Sequence, residues 1–187
     1  MDFITNIDNG IITVMQNNVQ NSIFDRIMPI ITSLGGMMLW LVIAGIFICT
    51  KKYRKYGVIL IISLGVCVIF GTGIKEIVKR VRPCNFYDTL NLIISKPTGY
   101  SFPSGHSMRS FAAATILFIV DKKFGIPALI LAFLTAFSRV YLYAHFFTDL
   151  FCGAIFGIVF ALATYKILMN NKKVNELLNK VCPILWN

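Results

Sequence analysis

Long apolar runs constrain the fold of this chain more than any other feature of its sequence. Residues 30–50 contain no charged side chain, and about 20 apolar residues in a helix span the hydrocarbon of a bilayer. Four further runs, all mainly apolar, cover residues 57–74, 103–120, 124–143 and 150–169. Only 14% of all residues are charged, whereas soluble domains average about 25%. The sequence therefore predicts an all-α, polytopic membrane bundle with about five transmembrane helices.

The chain is predicted to form a single domain over residues 1–187, since it shows neither repeats nor a linker. Within residues 1–26, apolar side chains recur at helical spacing among Asn and Gln. This pattern predicts an amphipathic helix at the membrane surface rather than a cleavable signal peptide. Residues 27–169 then form the transmembrane core, and residues 170–187 form a polar cytoplasmic tail.

The net charge of +10 lies in short clusters between the apolar runs. This arrangement is typical of membrane orientation and of an anionic ligand, and it argues against a nucleic-acid partner. The positive-inside rule places the connections at residues 51–55 and 121–123 in the cytoplasm. Residues 75–103 and 139–149 then face the extracytoplasmic side of the plasma membrane. The five cysteines include no CxxC pair, which predicts neither a disulfide framework nor a zinc site.

The first polar cluster follows the second apolar run. Lys75, Lys79 and Arg82 would share one face if that helix continues to Val81, because residues four and seven apart project in similar directions. Pro83 should then end the helix. The cationic stripe is either a phosphate-binding surface or an ordinary interfacial anchor.

The second cluster is Pro103-Ser104-Gly105-His106, at the start of the third apolar run. Free N–H groups and the dipole at a helix start attract phosphate, and glycine lets the backbone approach closely. Ser104 is either a phosphate ligand or a helix N-cap. Arg109, about one turn past His106, either contacts a second phosphate or headgroup or serves as an interfacial anchor.

The third cluster is Ser138-Arg139, followed by His145 and Asp149. Arg139 lies near the end of an apolar run, where a charge is costly and usually functional. On a helical turn, Asp149 would accept the Nδ1–H of His145 and leave Nε2 free to attack. A purely structural His–Asp hydrogen bond is the alternative.

These clusters meet on one predicted membrane edge. The chain has only two histidines, and both fall there, beside Lys75, Arg82 and Arg139. Three cations repel one another unless an anion lies between them, and phosphate oxygens suit arginine in bidentate geometry. The sequence therefore predicts a site for a phosphorylated ligand.

The combined pattern K-x6-R-P, P-S-G-H and S-R-x5-H-x3-D resembles the signature of the type 2 phosphatidic acid phosphatase family, which is also similar to the vanadium haloperoxidases. The resemblance covers residues 75–149. It implies a membrane lipid phosphatase in which His145 is the nucleophile and forms a phosphohistidine, Asp149 orients it, and His106 is the general acid. It also implies phosphate contacts from five positions: Lys75, Arg82, Ser104, Gly105 and Arg139. Neither a metal nor another cofactor is expected, since fixed cations take the part that magnesium plays elsewhere.

Two features depart from the family pattern. Better-known members have six spans rather than five, and Met108 and Arg109 stand where small residues are more usual. Arg109, together with Lys79 of the cationic stripe, is a secondary candidate for the site. Gly153 and Gly157 have GxxxG spacing, which marks either helix packing or dimerisation, so the oligomeric state stays open.

The favoured substrate is undecaprenyl diphosphate, by analogy with small bacterial relatives. Phosphatidylglycerol phosphate and phosphatidic acid are the next candidates, followed by lipid A phosphates. Membrane lipids are the expected surroundings. The alternative class is a non-catalytic lipid-phosphate binder, flippase or small channel subunit.

Overall fold

The computed structural model describes residues 2–87, 90, 92–171 and 176, and this part of the chain folds into helices joined by loops. Most of the predicted tail at 170–187 lies outside the described residues. The helices, in chain order, are α1 (Asp2–Val14), a π-helical turn (Met15–Val19), α2 (Ser22–Leu34), α3 (Met37–Cys49), α4 (Arg54–Val78), α5 (Pro83–Phe86), α6 (Gly105–Val120), α7 (Lys122–Tyr141) and α8 (Phe147–Asn170).

Helix α6 occupies the centre of the bundle, with α4, α7 and α8 packed around it. Its buried face includes Met108, Ala112 and Ile116. The sequence predicts this burial only in part, because a helix that is apolar on most sides carries no marked stripe. The central position matters for the site, since the N-terminal end of α6 carries the Ser104–His106 cluster.

Two glycines let α8 approach α6 closely. A Cβ atom on Gly153 would lie 2.8 Å from the carbonyl oxygen of Ser104, and one on Gly157 would lie 2.1 Å from that of Met108. Both distances are far inside van der Waals contact, so only glycine fits at either position. Of the two readings of the GxxxG spacing, the structure supports helix packing within the chain.

The predicted apolar span over residues 30–50 is not one straight helix. It covers the end of α2 and all of α3, which meet at Gly35 and Gly36 with a bend of 43°. A Cβ atom on Gly35 would lie 1.9 Å from Oγ1 of Thr135 in α7, so the chain breaks where its backbone presses against another helix. The adjacent glycines Gly35 and Gly36 are a local signal for such a break, which the sequence prediction of an uninterrupted apolar run missed.

The predicted continuation of α4 to Val81 is also wrong. The helix ends at Val78, and Lys79 adopts a left-handed conformation with φ of 49°. Arg82 therefore does not lie on the same helix face as Lys75, and Lys79 is exposed. Pro83 instead begins the short helix α5, a position that its fixed φ favours.

The other boundaries shift by a few residues. Helix α6 begins at Gly105 rather than at residue 103, α7 covers Lys122–Tyr141 rather than 124–143, and α8 begins at Phe147 rather than at residue 150. The predicted amphipathic segment 1–26 contains α1, the π-helical turn and the first turn of α2. Its location on the membrane surface stays a prediction.

Three helical segments of the described chain are long and apolar enough to cross a membrane: Arg54–Phe86, Lys122–Tyr141 and Phe147–Asn170. The bent pair α2 and α3 passes the same test as one unit, and α6 is apolar but shorter, at 16 residues. The predicted all-α, multi-pass membrane fold is confirmed, and the count of five spans stays a prediction.

Candidate active site

His145 lies in the short connection between α7 and α8 and is buried, with only 2% of the residue's surface exposed. The backbone N–H groups of Ala144 and His145 both donate to the carbonyl oxygen of Arg139, at 3.1 and 3.2 Å. Tyr143 takes a left-handed conformation with φ of 53° to close this turn. The turn therefore holds the backbone of His145 next to that of Arg139, at the end of α7.

The imidazole of His145 has polar neighbours at both nitrogens. Nη1 of Arg82 lies 3.2 Å from Nε2, and arginine has only donors, so Nε2 is the acceptor and Nδ1 carries the proton of the neutral ring. Oγ of Ser101 lies 3.3 Å from Nδ1. Oδ2 of Asp149 is farther away, at 3.7 Å.

The predicted contact between His145 and Asp149 therefore needs a correction. The two groups are close but do not form the direct hydrogen bond that the i, i+4 spacing predicts, and His145 lies before α8 rather than on it. The hydroxyl of Ser101 lies between them and donates a short hydrogen bond to Oδ2 of Asp149. Sequence reasoning missed Ser101, which precedes the second cluster without belonging to a recognisable pattern.

Asp149 is completely buried, in the first turn of α8. It also accepts from the backbone N–H of Phe146 at 2.9 Å and from Nη1 of Arg80 at 2.6 Å. Three donors compensate this buried carboxylate and hold it beside the imidazole.

Arg80 was also missed, and it connects the site to the N-terminal helix. Its second nitrogen, Nη2, lies 2.6 Å from Oδ2 of Asp8 in α1. Asp8 is 1% exposed and also accepts from the backbone N–H and the hydroxyl of Thr148, at 3.0 and 2.6 Å. The guanidinium carbon of Arg80 is 4.2 Å from the ring centroid of Phe146. We call Asp8, Arg80 and Asp149 the carboxylate–arginine relay.

Lys75 and Arg82 are held by backbone carbonyls. Nζ of Lys75 donates to the carbonyl oxygens of Tyr100 and Ser101, at 2.7 and 3.1 Å. Arg82 donates to three further carbonyls, those of Thr98, Gly99 and Ala144, at 3.0, 2.9 and 2.8 Å. The loop before α6 therefore folds around these two cations, which brings both to the site although they do not share a helix face.

Arg139 and Arg109 have fewer protein partners. Nη1 of Arg139 donates to Oγ1 of Thr32 in α2 at 2.9 Å, while its buried Nε has no hydrogen-bond partner among the described residues. The buried Nε of Arg109 also lacks a partner there. The charges of Arg82, Arg109 and Arg139 all act on His106, as does His145. These five side chains therefore form one electrostatic cluster.

Ser104 caps α6, because its hydroxyl accepts from the backbone N–H of Ser107 at 3.4 Å. Its own N–H donates to the carbonyl oxygen of Asp149 at 3.0 Å. This bond joins the second cluster to the third and places Gly105 and His106 at the open end of α6. The N-cap reading is observed, and the phosphate-contact reading of Ser104 stays a prediction.

Burial lowers the pKa of His145 to about 3, and the charges of Arg82 and Arg139 act in the same direction, while Asp149 opposes them. The imidazole is therefore neutral near pH 7, the state that a nucleophile requires. In the described part of the chain, no three His, Cys, Asp or Glu side chains lie close enough to hold a metal ion. Catalysis without a metal stays a prediction.

The sequence matches the PAP2 superfamily over residues 56–173. The chain belongs to the PAP2 superfamily. It is 32% identical over 142 residues to the undecaprenyl-diphosphatase of Sulfolobus acidocaldarius, covering 75% of this chain and 69% of the relative. It is 24% identical over 172 residues to the lipid A 4'-phosphatase of Bacteroides thetaiotaomicron, covering 84% and 75%.

Among solved structures, the PAP2-type phosphatidylglycerolphosphate phosphatase of Bacillus subtilis superimposes with a TM-score of 0.78 at 24% identity, covering 92% of this chain and 89% of that one. This similarity shows a shared fold. Family membership and the membrane bundle together make this chain a membrane lipid phosphatase of the PAP2 superfamily, as the sequence predicted. Its active-site residues and substrate are proposals, developed next.

Proposed function

We propose that this PAP2 phosphatase removes the terminal phosphate of a lipid diphosphate at the outer surface of the plasma membrane, through a phosphohistidine on His145. One observation carries the proposal: a neutral, buried imidazole whose Nε2 faces Arg82 and whose Nδ1 faces Ser101 and Asp149. A protein that only bound lipid phosphates would not need a nucleophile held in this way.

In the first step, Nε2 of His145 attacks phosphorus and the bond to the leaving oxygen breaks. Its electron pair goes to that oxygen, which takes a proton from His106. Arg82 transfers its hydrogen bond from Nε2 to a phosphoryl oxygen, and Lys75 and Arg139 balance the charge on the others. Positioning and fixed charge supply most of the catalysis in such a transfer.

In the second step, a water molecule gives a proton to His106 and attacks the phosphohistidine. The nitrogen–phosphorus bond breaks, inorganic phosphate leaves, and Nε2 recovers its electron pair. Asp149 supports the imidazole while it carries positive charge in the first step, through the Ser101 hydroxyl and by direct electrostatic attraction at 3.7 Å.

Undecaprenyl diphosphate is the favoured substrate, since the 32% identical relative is named for it. Phosphatidylglycerol phosphate, phosphatidic acid and lipid A phosphates are the alternatives. The names of the other two proteins compared above include phosphatidylglycerol phosphate and lipid A. The outward orientation is supported by the lysine and arginine content of the connections at residues 51–55 and 121–123.

The deciding experiment measures phosphate release in detergent, with a metal chelator present, from undecaprenyl diphosphate, phosphatidylglycerol phosphate and phosphatidic acid. We expect release to persist with the chelator and to be fastest from the diphosphate. His145→Ala should abolish phosphate release, and it should also abolish formation of the phosphoenzyme from substrate with a labelled phosphate. Arg26→Gln, at an exposed position on α2, is the control and should match the wild type.

Release by His145→Ala at the wild-type rate, or no release by the wild type from any of the three lipids, would favour the non-catalytic binder instead.

The role of His106 has its own test. A diphosphate expels a phosphate, which needs little protonation, whereas a monophosphate ester expels an alkoxide, which needs much. His106→Ala should therefore reduce turnover of a monophosphate far more than turnover of a diphosphate. Equal losses on both substrates would contradict the assignment of His106 as the general acid.

A further inference from the structure

The cationic side chains of the site differ in how many hydrogen bonds they donate to other groups of the protein. Lys75 and Arg82 donate to five backbone carbonyls between them. Arg139 donates to one hydroxyl. Arg109 forms no hydrogen bond or ion pair within the described part of the chain, and its Nε is buried without a partner. A half-buried guanidinium whose Nε is shielded from solvent without a partner is costly unless an anion reaches it.

The guanidinium of Arg109 lies beside the first residue of α6, Gly105. Its Nη1 is 3.0 Å from where a Cβ atom on Gly105 would be, so the absence of a side chain at Gly105 leaves room for the guanidinium. The charge of Arg109 acts on Lys75, His106 and Arg139. The guanidinium therefore belongs to the same group of charges as these three side chains.

Arg109 follows His106 by three residues in α6, but its side chain turns back towards the start of the helix, where its guanidinium lies beside Gly105. The guanidinium therefore lies at the same end of α6 as His106. His145, by contrast, approaches the site from the connection between α7 and α8. A terminal phosphate at His145 would place the bridging oxygen, through which the lipid leaves, at His106 and the second phosphate beside Arg109.

We propose that Arg109 binds the second phosphate of a lipid diphosphate, the one that remains on the lipid, and that it sets the preference for diphosphates over monophosphates. This inference rests on the proposed function. A planar guanidinium offers donors to two oxygens of that phosphate at once. The negative charge on the second phosphate grows when the bridging bond breaks. Arg109 stabilises that charge, so this leaving group needs little protonation by His106.

The test compares farnesyl diphosphate with farnesyl monophosphate, which differ only in the second phosphate. Arg109→Gln should lower kcat/KM for the diphosphate about 10- to 100-fold, the range expected for one charge-assisted contact. The same variant should lower kcat/KM for the monophosphate less than about threefold. Arg109→Lys, which keeps the charge without the planar fork, should fall between, and Arg26→Gln should match the wild type on both substrates.

Inhibition provides a second measurement that the wild type alone can supply. Methylenediphosphonate, whose two phosphonates cannot be separated by hydrolysis, should bind at least about tenfold more tightly than methylphosphonate, and Arg109→Gln should remove that difference. If Arg109→Gln does not fold, the wild-type comparison and Arg109→Lys decide the matter.

Equal losses on both farnesyl substrates, or equal binding of the two phosphonates by the wild type, would overturn the assignment of Arg109. Failure of the proposed function would give a different result, because the wild type would then release phosphate from neither substrate.

Discussion

Replacing Arg80 with glutamine removes the cation that joins Asp149 to the N-terminal helix. Arg80 lies 2.6 Å from a carboxylate oxygen of Asp8 and 2.6 Å from one of Asp149. These carboxylates are 1% and 0% exposed, while Arg80 itself is 24% exposed. The substitution therefore leaves two buried negative charges without their shared partner.

The expected loss of stability follows from what each carboxylate retains. Removing one partner of a buried ion pair costs about 3–5 kcal/mol. Asp149 keeps its bonds from Ser101 and Phe146, and Asp8 keeps those from Thr148. We therefore expect Arg80→Gln to cost about 2–3 kcal/mol, below the full value. Asp8→Asn should cost less, since it leaves Arg80 paired with Asp149.

Arg80 is a positioning residue, since it acts on His145 through Asp149. Loss of a partner that orients such a group typically costs about 10–100-fold in activity. The assay is a pre-steady-state burst with substrate in excess, whose rate constant for phosphoenzyme formation does not depend on the fraction of protein that is folded. Arg80→Gln should slow this rate constant with little change in KM, Arg80→Lys should restore part of it, and Arg26→Gln should have no effect.

A double-mutant comparison tests whether Asp8 and Arg80 act as one unit. Asp8→Asn combined with Arg80→Gln should be no slower than Arg80→Gln alone, because interacting residues give non-additive effects. Additive losses would contradict the carboxylate–arginine relay. A burst rate constant unchanged in Arg80→Gln, with only a smaller burst amplitude, would reduce Arg80 to a purely structural role.

Three further predictions concern other parts of the molecule. The pKa of His145 is lowered from its ordinary value of 6.5 to about 3 by burial, so below pH 6.5 the unfolded chain binds a proton there that the folded protein does not. Stability should therefore fall between pH 7 and pH 5, by about 2 kcal/mol from this group, and thermal unfolding of His145→Gln should show a correspondingly smaller change. Gly157→Ala places a Cβ atom 2.1 Å from the backbone of α6 and should lower the thermal midpoint by several degrees, while Gly45→Ala, with nothing within 4 Å, should leave it unchanged. Ser101→Ala removes the hydroxyl that lies between His145 and Asp149 and should slow the burst about tenfold. Because it also removes one donor to the buried Asp149, it should cost about 1–3 kcal/mol of stability, and an unaltered rate would contradict its bridging role.

Several particular features of this protein were predictable before its structure. The apolar runs predict the helices because only backbone that is fully hydrogen-bonded within itself crosses lipid. Three ordered motifs indicate the phosphatase family and bring Lys75, Arg82, His106, Arg139 and His145 forward as candidates. Local spacing of this kind needs no knowledge of which helix packs against which.

The errors have different origins. The break between α2 and α3 has a local signal in Gly35 and Gly36, which the apolar run around them concealed. The end of α4 at the left-handed Lys79 has no such signal. Spacing of four residues predicts a direct bond between His145 and Asp149, but the connection before α8 turns the imidazole so that Ser101 comes between them.

The sequence by itself determined the helices, the membrane environment and the residue types that the chemistry needs, since these follow from composition and from spacing along one segment. Only the tertiary structure decided which charges are paired. Asp8 meets Arg80 from 72 positions away, and the carbonyls that satisfy Lys75 and Arg82 leave Arg109 free. Electrostatic energy depends on distance and burial in space, and the order of residues along a chain fixes neither until the helices have packed.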